Sequence, residues 1–173
     1  PGMLENYTNM LKFSLGIKEF EAIPEPKLED LQLQDPRFSL PSELAEICSS
    51  DTFDRASHTY GKSFRDVWRG LMGRFEHAPD YVAFPKTETE ILALMRFCAA
   101  ENVSLIPFGG GSSVVGGVEP SKSDKYQGTI SLDMKHFDQI LEIDKASRSV
   151  RVQAGIFGPA LEQGLKAHGL SLR

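Results

Sequence analysis

The chain reads as an α+β fold, a small βαβ subdomain followed by a mostly antiparallel sheet with a helix. Three observations predict it. Ile91, Leu94, Met95 and Cys98 recur at i, i+3, i+4 and i+7, the period of one helical face. Short β-type runs at 80–85 and 103–107 flank that helix, which makes strand–helix–strand with parallel pairing the natural arrangement. Three more β segments, at 129–134, 140–144 and 149–155, then follow with no long helical pattern between them.

In chain order, residues 1–20 carry Leu4, Tyr7, Leu11 and Leu15 at helical spacing, and Gly16 closes the pattern. The stretch A-I-P-E-P-K-L-E-D-L-Q-L-Q-D-P-R at 22–37 holds three prolines and many charges, Asp30 and Asp35 among them, and reads as an exposed linker. Ser42 is placed to cap a helix running through Leu44 and Ile47 to Cys48. A polar region, 54–74, holds a helix around Phe64 to Leu71 with the one tryptophan, Trp68, which we assign with Phe75 to packing. This divides the chain into a helical extension and linker, 1–77, and a domain, 78–173. Within the domain T-E-T-E at 87–90 matches a capping box, Thr87 as cap and Glu90 reaching back. Asn102 closes the helix. K-A-S-R at 145–148 reads as a hairpin turn, Pro159 as a helix start and Gly169 as its stop.

Bulk properties exclude several function classes. With 173 residues, 40% hydrophobic and 25% charged, the chain has the composition of an ordinary globular domain. Its net charge of −5 offers no basic face for nucleic acid. No apolar run approaches the roughly 18 residues of a membrane-spanning helix, and no signal-peptide pattern opens the chain. Cys48 and Cys98 sit in helical patterns and are expected as buried reduced thiols. They and His58, His77, His136 and His168 lack metal-ligand spacing, so no metal site is expected. The chain opens on Pro-Gly and stops at Ser-Leu-Arg, and both ends are expected to be cuts in a longer protein.

The distinctive stretch is I-P-F-G-G-G-S-S-V-V-G-G at 106–117, five glycines in twelve positions. No lysine follows the glycines, so it is not a nucleoside-triphosphate P-loop. Val114 stands where a dinucleotide fingerprint needs its third glycine, and Val-Val-Gly-Gly-Val-Glu-Pro is a poor helix start. Two readings stay open on spacing alone. One is a nest, in which glycines at positive φ turn several N–H groups into one concavity for an anion, with Ser112 and Ser113 adding hydroxyls. The other is a plain loop between subdomains.

P-F-G-G-G-S-S-V-V-G-G resembles the FAD diphosphate loop of the vanillyl-alcohol oxidase and p-cresol methylhydroxylase flavoprotein superfamily. The flanks P-D-Y-V-A-F-P-K-T-E-T-E-I, I-S-L-D-M-K-H-F-D-Q-I-L-E-I-D and V-R-V-Q-A-G-I are similar too, so the resemblance spans 78–173. Upstream, N-M-L-K-F-S-L-G-I, F-D-R-A-S-H-T-Y-G-K-S-F-R-D-V-W and G-R-F-E-H-A-P-D resemble one branch, the alkyldihydroxyacetonephosphate (alkylglycerone-phosphate) synthases.

The resemblance implies the N-terminal part of a PCMH-type FAD-binding domain. By position it assigns Pro107, Phe108, Gly109, Gly110, Gly111, Ser112 and Ser113 to the diphosphate, with Gly116 and Gly117 continuing the run. Members that anchor flavin covalently here place a histidine after the glycines. Ser112 stands there in this chain, so noncovalent FAD is expected. The branch implies an enzyme of ether-lipid synthesis that exchanges the acyl chain of acyl-dihydroxyacetone phosphate for a fatty alcohol, with no net redox change. Its partners would be a lipid substrate, a peripheral membrane contact and a second copy in a homodimer, in the cytoplasm of a bacterium or the peroxisome of a eukaryote. Two alternatives stand beside it: a FAD-linked D-2-hydroxyacid (lactate or glycolate) dehydrogenase or oxidase, and an isolated fragment with no activity. Reactive side chains are expected beyond Arg173. His58, with Gly61 and Ser63, is read either as a contact to the flavin or its cap, or as a polar surface or interdomain histidine. Asp133 is read as a turn-capping carboxylate, and His136 and His168 as solvated.

Overall fold

A computed structural model describes residues 2–16, 19, 24–121 and 125–172. The helical pattern near the start forms α1 (Gly2–Leu15), closed by Gly16 at φ 64°. Part of the expected linker, residues 22–23, lies outside the described residues. The rest is less free than its composition suggests. Asp30 and Asp35 are exposed, but Arg37 donates from its backbone N, Nε and Nη2 to the carboxylate of Asp80 at 2.8, 3.0 and 2.7 Å. Asp80, only 2% exposed, also accepts the Thr129 N–H. Phe38 and Leu40 then pack against the core.

Ser42 does not cap. It is the first residue of the short α2 (Ser42–Ala45), behind Pro41. The helix stops early because the chain is captured by the sheet: Ile47 accepts the Phe84 N–H, and Cys48 pairs with Ala83 in β1 (Cys48–Ser49). The sequence reading missed α3 (Thr52–Ser57), whose cap Asp51 accepts from the N–H groups of Phe53 and Asp54. Helix α4 (Phe64–Leu71) falls where expected, with a capping box between Ser63 and Asp66.

After β2 (Tyr81–Ala83) comes α5 (Glu88–Ala100), started by the predicted Thr87–Glu90 capping box. Its buried face is Leu94 and Cys98 with Ile91 and Phe97 beside them. Met95, placed on that face by its spacing, is 53% exposed. The helix ends at Asn102, φ 53°, whose short polar side chain tolerates the left-handed region. Strands β3 (Val103–Phe108) and β4 (Gly128–Asp133) follow, then the hairpin β5 (Ile140–Asp144) and β6 (Ser149–Val152). Asp144 holds the hairpin turn by accepting from Ala146 and Ser147. Last is α6 (Gly158–Lys166), with Pro159 in its first turn and Gly169 at φ 70° beyond it.

The α+β class is as expected, with two changes in pairing: β2 and β3 are parallel but do not pair with each other, and the strand between them comes from later in the chain. The 129–134 segment does not join the antiparallel hairpin. As β4 it lies between β2 and β3, parallel to both, in a sheet of order β1-β2-β4-β3. Its alternation of Ile130 and Leu132 with Thr129, Ser131 and Asp133 looks like a half-solvated strand. Every residue of it is buried. Ile130 and Leu132 meet the core under α5, while α3 packs against neighbouring β2 and His58 covers Asp133 at the strand's end. The core joins Leu44, Ala83, Leu94, Cys98, Val103, Ile130 and Leu132, so it draws on both sides of position 78. Among the described residues no helix is long and apolar enough to cross a membrane.

Candidate functional site

The glycine stretch leaves the sheet at the carboxyl end of β3, beside the carboxyl end of β4, where Phe108 is in register with Asp133. Ligands of parallel sheets gather at such ends, because the chain there turns outward and leaves backbone groups unpaired. Pro107 and Phe108 belong to the strand. Pro107 is exposed, whereas Phe108 is buried with its ring beneath the loop: a Cβ on Gly111 would stand 2.5 Å from Phe108 Cζ.

Only two glycines of the run take the left-handed backbone, Gly111 at φ 62° and Gly116 at φ 74°. The nest is therefore two separate turns. Among the described residues, the N–H groups of Gly109, Gly110, Gly111, Ser112 and Ser113 donate to no protein acceptor. Gly109, Gly110 and Ser112 are exposed. Ser113 differs from its neighbour, because its hydroxyl accepts the Gly117 N–H at 2.9 Å and closes the loop upon itself.

The loop is clamped from four sides. Gly61 lies against the Ser113 carbonyl so closely that a Cβ has no room, and the Lys62 N–H donates to that same oxygen at 2.7 Å. Just beyond Gly117, Glu119 accepts from Arg69 Nη1 at 2.6 Å and Nη2 at 3.0 Å. Arg69 also reaches Asp66 Oδ1 at 2.6 Å and lies 3.8 Å over the Tyr60 ring. The Glu119 hydrogen bond raises the pKa of Arg69 and lowers that of Glu119. The acid nearest the loop is thus neutralised in place. Third, the Phe157 ring approaches Gly110, where a Cβ would be 3.1 Å from its Cε1. Fourth, Phe108 supports Gly111 from below, and His58 supports Phe108, ring centroids 4.3 Å apart.

His58 is not a surface histidine; it joins the 1–77 part of the chain to the 78–173 part through Asp133, Phe84 and Phe108. It is 7% exposed, its Nδ1 lies 2.7 Å from the Asp54 carbonyl and its Nε2 3.1 Å from Asp133 Oδ2. Asp133 does cap a turn, accepting the Lys135 N–H on Oδ1 at 2.8 Å, and holds His58 with its other oxygen. Burial opposes its ionisation, but the hydrogen bonds from His58 and Lys135 together leave its pKa below the ordinary carboxylate value. His136 and His168 are exposed. Phe75 stacks on Tyr60 at 5.7 Å, while Trp68 is 47% exposed and outside the core. Both cysteines are free thiols, and burial pushes Cys48 up to about 12 and Cys98 to about 11. No group of three metal-ligating side chains is found among the described residues.

These features suit an anionic group: unpaired N–H donors, no Cβ over Gly109 or Gly110, a free hydroxyl on Ser112 and a neutralised acid at the rim. Residues 79–173 match the family model described as FAD binding domain. The chain belongs to this FAD-binding family. Alkyldihydroxyacetonephosphate synthase of Dictyostelium discoideum is 33% identical over 92% of this chain and 25% of its own length. A solved alkyldihydroxyacetonephosphate synthase superposes with a TM-score of 0.75 at 32% identity, covering 86% of this chain and 29% of that one. A probable mitochondrial D-lactate dehydrogenase of Danio rerio is more distant, 28% identical over 86% of this chain and 30% of its own. The chain spans about a quarter of the length of the synthase relative. Its FAD-binding domain is homologous to enzymes.

The sequence motif located the loop but not what holds it. Tyr60, Lys62, Arg69, Glu119 and Phe157 were missed. One local signal was available: Ser63 and Asp66 stand at capping-box spacing with Asp in place of the usual Glu, and mark where α4 begins beside Gly61.

Proposed function

We propose that the loop from Gly109 to Ser113 holds the diphosphate of FAD noncovalently, and that the complete protein is an alkyldihydroxyacetonephosphate synthase. The observation that carries the cofactor reading is the row of five unpaired N–H groups on a clamped loop at the carboxyl ends of β3 and β4. Five fixed donors facing a dianion act without reorganising, so the backbone supplies what an acidic chain lacks in lysines. Ser112 adds one hydroxyl donor. Gly116 and Gly117 continue the exposed rim, and Phe108 acts from beneath. Noncovalent attachment follows from Ser112 at the position where a histidine would be needed for a covalent bond.

When bound, FAD would supply the chemistry, while this segment binds and orients one end of it. The reaction proposed is exchange of the acyl chain of acyl-dihydroxyacetone phosphate for a fatty alcohol. The ester carboxylate leaves, the alcohol oxygen forms the ether bond, and no electrons are gained or lost overall. Higher identity to the synthases than to the D-lactate dehydrogenases favours this over hydroxyacid oxidation.

The test is a chromatographic assay of the complete protein with palmitoyl-dihydroxyacetone phosphate and hexadecanol. Ether product without reduction of a dye acceptor supports the reading. Dye reduction by D-lactate with no ether lipid overturns it. Acid precipitation of the yellow protein should release all flavin to the supernatant. Flavin retained in the pellet would overturn noncovalent attachment.

A further inference from the structure

The most elaborately held side chain near the loop, His58, has no part in the binding just proposed. Its environment is specific. Nδ1 lies 2.7 Å from the Asp54 carbonyl and 3.2 Å from Ser57 Oγ, which itself donates to that carbonyl at 3.0 Å. On the other edge of the ring Nε2 faces Asp133 Oδ2, while Asp133 Oδ1 already receives a backbone N–H from Lys135. A carboxylate placed between two donors is stabilised as the anion. The His58 ring is thus held at both edges. The other charged group close by, Lys135, has its Nζ 3.7 Å over the Phe84 ring and lowers the Asp133 pKa. Phe84 meets the His58 ring edge-on at 5.9 Å.

The His58 ring packs against Phe108, centroids 4.3 Å apart and ring planes tilted by 46°. Phe108 in turn fills the space that a side chain at Gly111 would need. Asp133, His58, Phe108 and Gly111 thus form one column from the end of β4 to the left-handed turn of the loop.

We propose that His58, held by Asp133, is a positioning residue for the flavin-binding loop, acting through Phe108 on the turn at Gly111. The proposal rests on the diphosphate reading of that loop. It makes His58 the link between the buried Asp133 carboxylate and the direction in which the Gly111 and Ser112 N–H groups point.

The test uses the complete protein, with FAD dissociation constants from flavin fluorescence and melting temperatures measured in parallel. His58→Gln keeps a donor toward Asp133, and we expect only a modest loss of affinity. His58→Phe matches the ring in size but leaves Asp133 buried without that donor, and should weaken FAD about tenfold or more. If His58 served only to fill space, the order would be reversed, with phenylalanine tolerated and glutamine not. In wild type, nitrogen-15 shifts of the His58 ring should show Nε2 protonated toward Asp133; an unprotonated Nε2 overturns the proposal. Should His58→Phe fail to fold, the isosteric Asp133→Asn decides: tenfold weaker FAD binding supports the column and an unchanged constant overturns it. Gly111→Ala separates the two readings. If it loses FAD while both His58 variants bind normally, the cradle stands and the role of His58 falls. If it binds FAD as wild type does, the cradle itself is wrong.

Discussion

Gly61 and Ser113, 52 positions apart, meet main chain to main chain. The glycine leaves the Ser113 carbonyl free to accept the Lys62 N–H, and this contact docks the segment before α4 onto the glycine loop. Both halves of the cradle are thereby set by backbone, which explains why a residue outside the glycine run is as sterically restricted as any within it.

Gly61→Ala should therefore be costly. The Cβ would press on a backbone carbonyl that cannot rotate away, and we expect a loss of roughly 1–3 kcal/mol of stability together with weaker FAD retention. Gly70→Ala in α4 is the contrast, because nothing lies within 4 Å of its Cβ position. Replacing a helical glycine there should stabilise by up to about 1 kcal/mol. Urea unfolding of both variants checks the pair, and equal effects would refute the docking contact.

The loop glycines should separate into two kinds. Gly111→Val forces a β-branched residue to positive φ, roughly 1–3 kcal/mol of strain, and drives a methyl into Phe108. Both melting temperature and flavin content should fall. Gly110 has no positive φ, and its nearest neighbour is the edge of the Phe157 ring, so Gly110→Val should stay folded. Gly110 itself is exposed, and the added bulk between it and the Phe157 ring should still reduce bound FAD. A Gly110→Val protein with full flavin would show that the diphosphate lies elsewhere.

The two serines should also part company. Ser113→Ala removes the acceptor of the Gly117 N–H and should cost about 1 kcal/mol of stability. Ser112→Ala touches no internal hydrogen bond and should leave the melting temperature unchanged while weakening FAD about tenfold. Calorimetric melting and a flavin titration distinguish them.

Acid should reveal the Arg69 clamp. Its partners Asp66 and Glu119 are held below their ordinary values of 3.8 and 4.5; burial opposes ionisation of Asp66 but its hydrogen bonds to Arg69 and Ser63 prevail, and for Glu119 the Arg69 bond leads. A carboxylate with a depressed folded pKa contributes stability that is fully present above its unfolded pKa and is lost as pH falls through the folded one. Arg69→Met leaves the buried Asp66 without its cation and Glu119 with only the exposed Arg65 at 4.0 Å, a loss of roughly 3 kcal/mol near neutral pH. The gap between wild type and variant should begin to narrow as pH falls below about 4.5 and should close only below the depressed folded values, where both carboxylates take up protons even beside the arginine. Urea midpoints at pH 7 and at pH 3.5 test this, and a gap that does not narrow would show that Arg69 acts through packing alone.

Local chemistry was legible in the sequence wherever neighbours in the chain decide it. The Thr87–Glu90 capping box, the turn at 145–148, Pro159 at the start of α6 and the glycine loop itself all depend on residues within a few positions of one another. Similarity of the flanking segments then identified the cofactor class. What distant residues decide was not legible. Cys48 left its helical pattern because Ala83 offered a strand partner, and β4 entered the parallel sheet because β2 and β3 pair with its two edges while His58 covers Asp133 at its end. The same reason hid the clamp around the loop. Gly61, Arg69 and His58 acquire their meaning only when folding brings them to Ser113, Glu119 and Phe108, since contact energies depend on separation in space and no spacing along the chain encodes it.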